Sequence, residues 1–292
     1  MTLNKEPDSY GIVGCGYVGK GTELLLRTAI NRQFYSARIH IFDTDKSLCT
    51  HNIFALKDLA NCKFIFVCVP TPMQEDGTCY TDIVDSVVND LKSYGVDPWR
   101  IIIRSTVPIG TTERLGVNFM PEFLTERNWK QDVYECKDLV FGVDNNIEEF
   151  KAELKPLFKF DFPVHEGSFY KYHMLSTKEA ELIKYVRNSF LATKVAFFNE
   201  INEYCEKVGL DYNNIREGVC IDKRIGFAHT VVPGPDGKKG FGGTCLPKDV
   251  NSFNLQMKKN GVNTHMVSAA LDRNKIDRPE EDWKEDKGRA VI

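Results

Sequence analysis

The sequence predicts an α/β protein in which a doubly wound parallel sheet is followed by an all-helical domain with a long central helix. Three observations support this prediction. Strand and helix patterns alternate from residue 10 to about residue 165, a glycine-rich turn joins the first strand to the first helix, and residues 176–209 form one uninterrupted helical pattern. The 292 residues are enough for two domains.

The first half of the chain alternates apolar strands with amphipathic helices. The run KFIFVCVP at 63–70 is almost continuously apolar, which is typical of a strand covered on both faces of a parallel sheet. Strands are predicted at 10–14, 37–43, 63–70, 100–106, 116–123 and 138–143, and helices at 17–33, 81–95 and 147–158, with a short helical turn at 56–62.

The second half is predicted to be helical. Its long helix begins with a capping sequence, Ser176 or Thr177 followed by Glu179, and it ends at Gly209. No strand pattern of comparable strength follows residue 170. Shorter helices are expected at 211–220, 247–259 and 265–276. The predicted domains are residues 1–170 for the sheet, 171–278 for the helices and 279–292 for a charged, solvated tail, with the main boundary near 165–176.

Composition excludes several classes of protein. Hydrophobic residues make up 42% of the chain and the net charge is −3, so there is a core to bury and no basic surface for nucleic acid. No apolar run is long enough for a membrane span, and the first residues carry no apolar signal region. The chain has nine cysteines and no C-x-x-C pair, which predicts reduced thiols in a cytoplasmic protein and no structural metal site. Four of the thiols are expected to pack in the interior: Cys15, Cys62, Cys68 and Cys205.

The glycine-rich turn has the spacing of a dinucleotide-binding loop. Gly14, Gly16 and Gly19 follow a predicted strand and open a helix, and Asp43 ends the next strand. In the Rossmann fold these glycines permit a tight turn, the approach of the pyrophosphate and close packing of the helix. A carboxylate at position 43 accepts hydrogen bonds from ribose hydroxyls and repels a 2′-phosphate, so NAD is favoured over NADP. The alternative is a glycine-rich turn that binds no cofactor.

Polar residues follow several of the other predicted strands. They lie in VPTP at 69–72, in STVPIGTTE at 105–113 and in MPEFLTE at 120–126. Ligands of this fold bind beyond the carboxyl ends of the strands, so the three segments together predict a cleft, although each alone is an ordinary loop. On the long helix, Lys184 and Asn188 share one face. Lys184 either snorkels from an apolar stripe or stabilises an oxyanion.

The segment GFGGTCLPKD at 240–249 places a cysteine behind a flexible run of glycines. An enzyme that takes an alcohol to a carboxylic acid needs a thiol to trap the aldehyde, whereas a simple alcohol dehydrogenase does not. Lys248 or Lys184 can supply the positive charge that favours a thiolate, and Asp249 can act as a base. The alternative is a free thiol in a flexible loop, which leaves the glycine cluster and the adjacent PKD unexplained.

The motifs GCGYVG, VPTP, STVPIGTTE, PEFLTE, EAELIKYVRNSFLATKVAFFNE, RIG and GFGGTCLPKD occur in that order between about residues 9 and 274. In this combination the chain resembles the UDP-glucose/GDP-mannose dehydrogenase family. The resemblance implies a four-electron oxidation of a nucleotide sugar at C6 with two NAD per turnover, and a homodimer that forms through the long helix of the second, dimerisation domain.

The resemblance also implies roles for individual residues. The catalytic set is the nucleophile Cys245, the oxyanion-stabilising Lys184 with its partner Asn188, the acid–base Asp249, and the water-binding pair Thr106 and Glu126, with Glu126 the candidate base for thioester hydrolysis. The cofactor set is Gly14, Gly16, Tyr17, Val18, Gly19, Asp43, Pro70, Thr71 and Thr106. The substrate set is Lys184 and Asn188, the sugar-lining Glu122, Phe123 and Leu124, the mobile loop residues Phe241 and Gly242, and Arg224, which family members can donate across a dimer interface.

The sequence departs from the family pattern in three places. Family members continue into a further α/β domain that holds the nucleotide base, and residue 292 comes too early for one. The stretch from Asp43 to VPTP is short, and the segment at 229–240 is longer than the resemblance predicts. The open alternatives are another sugar nucleotide, such as GDP-mannose or an N-acetylhexosamine derivative, a partner that completes the nucleotide site, or a non-catalytic NAD-binding subunit.

Overall fold

The computed structural model describes residues 7–33, 35–158 and 170–292. Its chain divides into two compact units. The first unit comprises Met1–Thr71 and Thr81–Lys184, and the second comprises Pro72–Tyr80 and Tyr185–Ile292. Among the described residues, no helix combines the length and the apolar character needed to cross a membrane.

The first unit is built on a sheet that contains seven strands within the described residues. All neighbouring pairs are parallel except β5 and β6, which are antiparallel. The strand order is β2-β1-β3-β4-β5-β6-β7. The strands are β1 (Asp8–Val13), β2 (Ala37–Phe42), β3 (Phe64–Val67), β4 (Ile101–Ile103), β5 (Asn118–Phe119), β6 (Asp138–Gly142) and β7 (Lys171–Leu175). The Rossmann-type sheet predicted from the sequence is confirmed, except that a wholly parallel sheet was predicted and the pair β5 and β6 is antiparallel.

Helices cover both faces of this sheet, as the apolar strands require. On one face, Leu26 of α1 and Phe150 of α5 pack in a core with strand residues such as Phe64. On the other face, Val88 of α2 packs in a second core with Ile65 of β3. All four residues of β3 are buried, because this central strand has no solvent side. The helices of the first unit are α1 (Tyr17–Gln33), α2 (Asp82–Ser93), α3 (Thr111–Leu115), α4 (Trp129–Glu135) and α5 (Ile147–Phe158).

Several elements of the first unit differ from the prediction. The strand β7 was not predicted, because it is a partly exposed edge strand that pairs only with β6 and therefore lacks a continuous apolar run. The strand expected at 116–123 is reduced to β5, since Pro121 has no N–H to extend the ladder. The helices α3 and α4 are too short to show a clear period. Residues 159–169, which include part of the predicted domain boundary near 165–176, lie outside the described residues.

The second unit is helical apart from the short hairpin at 72–80. The long helix α6 (Thr177–Val208) begins in the first unit and continues into the second. Its predicted cap is present, because the Ser176 backbone N–H and hydroxyl donate to Glu179 and the Glu179 N–H donates back to the Ser176 hydroxyl. Gly209 ends the helix with a φ of 74°. The remaining helices are α7 (Tyr212–Cys220), α8 (Leu246–Lys259) and α9 (His265–Asp277).

The prediction of a solvated tail at 279–292 is wrong. Trp283 and Ala290 are buried within the second unit. The backbone of Met73 in the hairpin at 72–80 donates to the Ala290 carbonyl and accepts from the Ile292 N–H. The charged composition concealed this packing, since a few apolar residues dispersed among charges make no periodic pattern. The tail is thus an ordered part of the second unit.

An ion-pair cluster joins α9 to α6. Arg273 donates two hydrogen bonds to Asp277, one turn further along α9, and a third to Glu203 on α6. Hydrogen bonds from Lys207 and Arg273 lower the pKa of Glu203 from 4.5 to about 2. A carboxyl whose pKa is depressed in the folded protein stabilises the fold above its unfolded pKa, and this contribution is lost as the pH falls towards the folded value.

We therefore expect Glu203→Gln to be less stable than the wild type at pH 6, with the difference shrinking as the pH falls from 4.5 towards 2. The free energy of unfolding, measured by urea denaturation at a series of pH values, provides the test. Glu200→Gln, at an exposed position on the same helix, is the control and should leave the curve unchanged. A difference between Glu203→Gln and wild type that stays constant from pH 6 to pH 2.5 would contradict the expected linkage.

Candidate active site

The glycine turn has the tight turn at Gly14 and the close approach of the helix at Gly19 that the sequence predicts. Gly14 has a φ of 92°, and a Cβ added to it would lie 2.7 Å from the Cys68 carbonyl oxygen. A Cβ on Gly19 would lie 1.9 Å from the Gly14 carbonyl oxygen, so the start of α1 approaches the turn too closely for any side chain. A Cβ on Gly16 would meet nothing within 4 Å. Gly16 therefore faces the open space that a pyrophosphate needs next to the backbone N–H groups of a helix start.

Asp43 lies directly beside this turn. Its Oδ2 accepts a hydrogen bond of 2.6 Å from the Cys15 backbone N–H, and its Oδ1 accepts one of 2.9 Å from the Asp45 N–H. These bonds hold the carboxylate at the end of β2, next to the glycine turn, and it stays half-buried. A carboxylate in this place can accept hydrogen bonds from ribose hydroxyls. The turn and the acid together fit NAD, and in such a complex Gly16 would lie against the pyrophosphate and Asp43 against the ribose.

The carboxyl ends of β3 and β4 lie next to each other in the sheet. The Ser105 hydroxyl donates a hydrogen bond of 2.6 Å to the Val69 carbonyl and ties the two loops together. Thr71 and Thr106, both predicted to contact the cofactor, are buried in these loops, whereas Pro70 is exposed. Tyr17 and Val18, predicted to contact the cofactor as well, form the partly exposed first turn of α1.

A buried ion pair connects α6 to the loop after β5. Lys184 Nζ donates a hydrogen bond of 2.7 Å to Glu122 Oε1 and another of 2.8 Å to the Glu122 carbonyl. Glu122 Oε2 accepts from the Leu124 N–H at 2.7 Å, and both charged side chains are at most 4% exposed. The structure thus places Glu122 against Lys184, whereas Glu126, the residue predicted to be the base, is exposed. Sequence reasoning had treated Glu122 only as a residue lining the sugar.

Arg104, at the end of β4, was missed by sequence reasoning. Its Nη1 lies 3.0 Å from the Met120 sulfur, and its Nε has no hydrogen-bond partner in the described part of the chain. Burial lowers the pKa of Arg104, and the nearby Cys68 and Glu122 oppose that shift. Burial also raises the pKa of Cys68 to about 11, so this thiol is neutral at pH 7. The sequence signal that could have identified Arg104 is its position as a charged residue at the end of a buried strand.

In the second unit, Cys245 occupies the N-cap position of α8 and is half-buried. The helix starts at Leu246, so the partial positive charge of its N-terminus is directed towards the cysteine. Thr244 Oγ1 lies 3.9 Å from the Cys245 sulfur. Lys248, one turn into the helix, interacts electrostatically with the same thiol. A helix N-terminus and a nearby cation are the two features that favour a reactive thiolate.

Asp249 is buried next to this cysteine on α8. Its Oδ1 accepts a hydrogen bond of 2.6 Å from Lys248 Nζ, and its Oδ2 accepts one of 2.6 Å from Asn188 Nδ2 on α6. Burial by itself lowers the pKa of Lys248, but Asp249 together with the nearby Cys79 and Cys245 outweighs burial, and the pKa is raised. Lys248 is therefore protonated at neutral pH. Asn188 was predicted to partner Lys184, and its side-chain amide instead contacts Asp249.

The other predicted substrate residues have different environments. Phe241 is buried in a small core with Ala192 and Val250. Gly242 follows it in the loop that leads to Cys245. Arg224 pairs with Asp222 at the surface, and its side chain is 90% exposed. None of the nine cysteines, all of which are described, is in a disulfide, and the four thiols predicted to pack in the interior are buried.

Comparison with known protein families matches most of the chain to one family. The NAD binding domain of the UDP-glucose/GDP-mannose dehydrogenase family matches residues 44–160, and the central domain of that family matches residues 178–276. The glycine turn precedes the matched region, so its assignment rests on its own geometry.

Individual relatives show the same similarity. UDP-glucose 6-dehydrogenase of Rickettsia bellii is 34% identical over 237 residues, covering 77% of this chain and 52% of that protein. The chain spans about half the length of the curated relatives it matches. A UDP-glucose dehydrogenase structure from Pyrobaculum islandicum has a TM-score of 0.75 at 24% identity, and the match covers 94% of this chain and 70% of that one. A ternary complex of GDP-mannose dehydrogenase from Pseudomonas aeruginosa has a TM-score of 0.60 at 21% identity, covering 92% and 68%.

Substitutions at Gly16 and Gly19 are expected to affect different properties, NAD binding and folding stability respectively. We expect Gly16→Ala to keep wild-type thermal stability, because its methyl group enters open space, and to bind NAD at least about tenfold more weakly, because the pyrophosphate can no longer reach the backbone. Gly19→Ala should instead destabilise the fold, since its methyl group overlaps the Gly14 carbonyl. Calorimetric titration with NAD and thermal denaturation measure the two effects.

Gly218→Ala serves as the control for these substitutions. Gly218 lies on α7, where an added Cβ also meets nothing within 4 Å. The change should leave NAD binding unaltered and stabilise the helix by about 0.5–1 kcal/mol. Unchanged NAD affinity in Gly16→Ala would show that the pyrophosphate does not lie at this turn.

Proposed function

Because this chain belongs to the UDP-glucose/GDP-mannose dehydrogenase family, we propose that it oxidises the C6 hydroxyl of UDP-glucose to the carboxylate of UDP-glucuronate, with two NAD per turnover. The observation that carries the proposal is the environment of Cys245, which occupies the N-cap position of α8 and has Lys248 and Asp249 within the next turn. NAD supplies the acceptor for the hydride that leaves C6 in each oxidation. The curated relatives named UDP-glucose 6-dehydrogenase support the choice of sugar.

Cys245 is the proposed nucleophile. After the first oxidation, its sulfur bonds to the aldehyde carbon C6, and the carbonyl oxygen takes up a proton to give a thiohemiacetal. Loss of that proton and of the second hydride leaves a thioester at C6. Water then adds to the thioester carbon, the C6–sulfur bond breaks, and the carboxylic acid and the thiol are released. A simple alcohol dehydrogenase needs no such sulfur, so the position of Cys245 favours oxidation to the acid.

Asp249 is the proposed acid–base residue. Its carboxylate is fixed by Lys248 and Asn188, so it is held in one orientation near the nucleophile in the second unit. A carboxylate held in this way can take a proton from the substrate hydroxyl or orient water towards the thioester. The positive charge of Lys248 compensates Asp249 and favours the thiolate form of Cys245.

Lys184 is the proposed stabiliser of the oxyanion at C6. Its ammonium group is oriented by the hydrogen bonds to Glu122, and an oriented donor needs little reorganisation when charge develops. Thr106 and Glu126 remain the predicted water-binding pair. Because Glu122 is buried and directly contacts Lys184, we infer that it is a better candidate than Glu126 for the base in thioester hydrolysis.

We also propose that the chain forms a homodimer through α6. On the part of the helix in the second unit, five large apolar side chains remain about half exposed or more, and they recur at helical spacing. These side chains are Val186, Phe190, Phe197, Tyr204 and Val208. An apolar row on a helix is the usual seam for a partner helix, and the exposed Arg224 is available for donation to the second copy.

Turnover assays with Cys245 variants test the proposed chemistry. We expect the wild type to form two NADH per UDP-glucuronate and Cys245→Ser to lose acid formation by at least about a thousandfold while still binding NAD, because the serine hydroxyl is a weak nucleophile without an activating base. NADH is followed by absorbance and the acid by chromatography. Cys136→Ser, at another half-buried thiol, is the control and should retain activity.

Assays with several nucleotide sugars distinguish the proposed reaction from the alternative functions. GDP-mannose and a UDP-N-acetylhexosamine are assayed beside UDP-glucose, and preference for either would reassign the sugar. NADH without acid product would indicate a two-electron dehydrogenase. An absence of turnover with every nucleotide sugar, despite NAD binding, would favour a non-catalytic NAD-binding subunit and reject the proposal.

The dimer is tested by placing a charge in the apolar row. We expect Phe197→Glu to convert the protein from dimer to monomer in sedimentation experiments, because a carboxylate buried between two apolar helices is strongly unfavourable. Met266→Glu, at an exposed apolar position on α9, should leave the dimer intact. A monomeric wild type, or a dimer that persists in Phe197→Glu, would reject the proposed interface.

A further inference from the structure

The loop that leads to Cys245, residues 240–245, is fixed by contacts with α9 and with the tail. The backbone N–H of Phe241 donates a hydrogen bond of 2.7 Å to Asn274 Oδ1, and Asn274 Nδ2 donates one of 2.9 Å to the Phe241 carbonyl. One asparagine side chain on α9 thus satisfies both backbone groups of a loop residue. The resemblance implied that this loop is mobile, and these contacts hold its first part in place.

The next residue of the loop lies against Arg278. A Cβ added to Gly242 would lie 2.4 Å from Arg278 Cζ and 2.6 Å from its Nη2, so the guanidinium group lies directly against the glycine backbone. The Arg278 side chain is only 4% exposed. Gly242 is therefore a glycine because the guanidinium occupies the space of its side chain. Cys245 follows three residues later.

Three charge-assisted hydrogen bonds hold the guanidinium in this place. Nε and Nη2 donate to the two oxygens of Asp282, at 2.6 and 2.7 Å, and Nη1 donates to Asp236 Oδ2 at 2.7 Å. Lys238 Nζ also donates to Asp282 Oδ2 at 2.7 Å. Asp236 lies in the unexpectedly long segment 229–240, and Asp282 lies in the tail that was expected to be solvated. The long segment 229–240 and the tail, for which the sequence predicted no function, therefore both bind Arg278.

We propose that Arg278 is a positioning residue for Cys245. Its guanidinium, held between the carboxylates of Asp236 and Asp282, fixes Gly242 and thereby the approach of the loop to the start of α8. The planar guanidinium is required, because it lies against the backbone with one face while its edge binds two carboxylates. A lysine ammonium can keep the charge but cannot make both contacts. The inference rests on the proposed function only in taking Cys245 as the reactive thiol.

The chain offers a closely matched control for this proposal. Arg273, on α9 shortly before Arg278, also donates two hydrogen bonds to an aspartate four residues further on, Asp277, and a third to a distant carboxylate, Glu203. The two arginines thus make the same kind of ion-pair cluster in the same unit. The difference is that the guanidinium of Arg278 lies against Gly242, whereas the cluster of Arg273 borders the loop at Gly240, where an added Cβ would lie 3.2 Å from Asp277 Cβ. Replacing each arginine with lysine distinguishes the effect of weakening an ion-pair cluster from the effect of losing the contact with Gly242.

The experiment measures the alkylation rate of Cys245 by iodoacetamide, followed by mass spectrometry of its peptide, in the full chain. We expect Arg278→Lys to raise this rate about tenfold, because weakening a charge-assisted contact lets the loop open, and Arg273→Lys to leave it within about twofold of wild type. Thermal denaturation should show comparable stability losses in both. With UDP-glucose, Arg278→Lys should lower kcat while the KM for NAD stays unchanged.

An alkylation rate in Arg278→Lys equal to or below that of the wild type would overturn the proposal, as would an equal rise in Arg273→Lys. Should Arg278→Lys fail to fold, Asp236→Asn removes one partner at a half-exposed position and should raise the rate about threefold. Alkylation requires no substrate. A wild type that oxidises no nucleotide sugar would therefore reject the proposed function, while the rate in Arg278→Lys would still decide the positioning role.

Discussion

Pairing of buried and partly buried charges is the constraint on which the candidate functional residues of each unit depend. Lys184 and Glu122 form one such pair in the first unit, and Lys248 and Asp249 form another in the second. Burial of an unpaired charge costs several kcal/mol, and removal of one partner leaves the other uncompensated. Each charged group is therefore held in a single orientation by its partner. Groups fixed in this way are suited to stabilising charge that develops during a reaction, because they need little reorganisation.

Close approach of backbone is the second constraint, and glycines make it possible. At Gly19 the neighbour is the carbonyl of Gly14, and at Gly242 it is the guanidinium of Arg278. Gly16 differs, because the space for its side chain is empty. Some glycines thus accommodate the protein's own atoms, whereas Gly16, like the control residue Gly218, has open space beside its backbone. Open space alone does not identify a ligand site, and Gly16 is a candidate because it also directly precedes the start of α1 in the spacing of a dinucleotide-binding loop.

Features that depend on neighbours in sequence could be predicted, whereas features that depend on distant contacts could not. The bounds of α1 and the close backbone contacts of Gly14 and Gly19 follow from local spacing. The pair between Lys184 and Glu122 joins residues 62 positions apart, and no pattern in the sequence reports it. The strand β7 could not be predicted, because it lies at the edge of the sheet and lacks the continuous apolar run of a central strand. The buried Trp283 was hidden in the same way by the charged residues around it.

The clusters of Arg273 on α9 and of Arg278 directly after it show why the chemistry of an interaction does not determine its role. Arg273 and Arg278 form nearly identical hydrogen bonds with carboxylates, and both stabilise the second unit. Arg273 joins two regular helices, and its partner Asp277 lies against Gly240 at the start of the loop. Arg278 lies against Gly242, a residue without side-chain contacts of its own, in a loop that ends at the candidate nucleophile. Gly242 has no side chain that could restrict its own backbone, so the fixed guanidinium of Arg278 supplies that restriction. The ion pairs of Arg278 are therefore relevant to the reactivity of Cys245 as well as to stability.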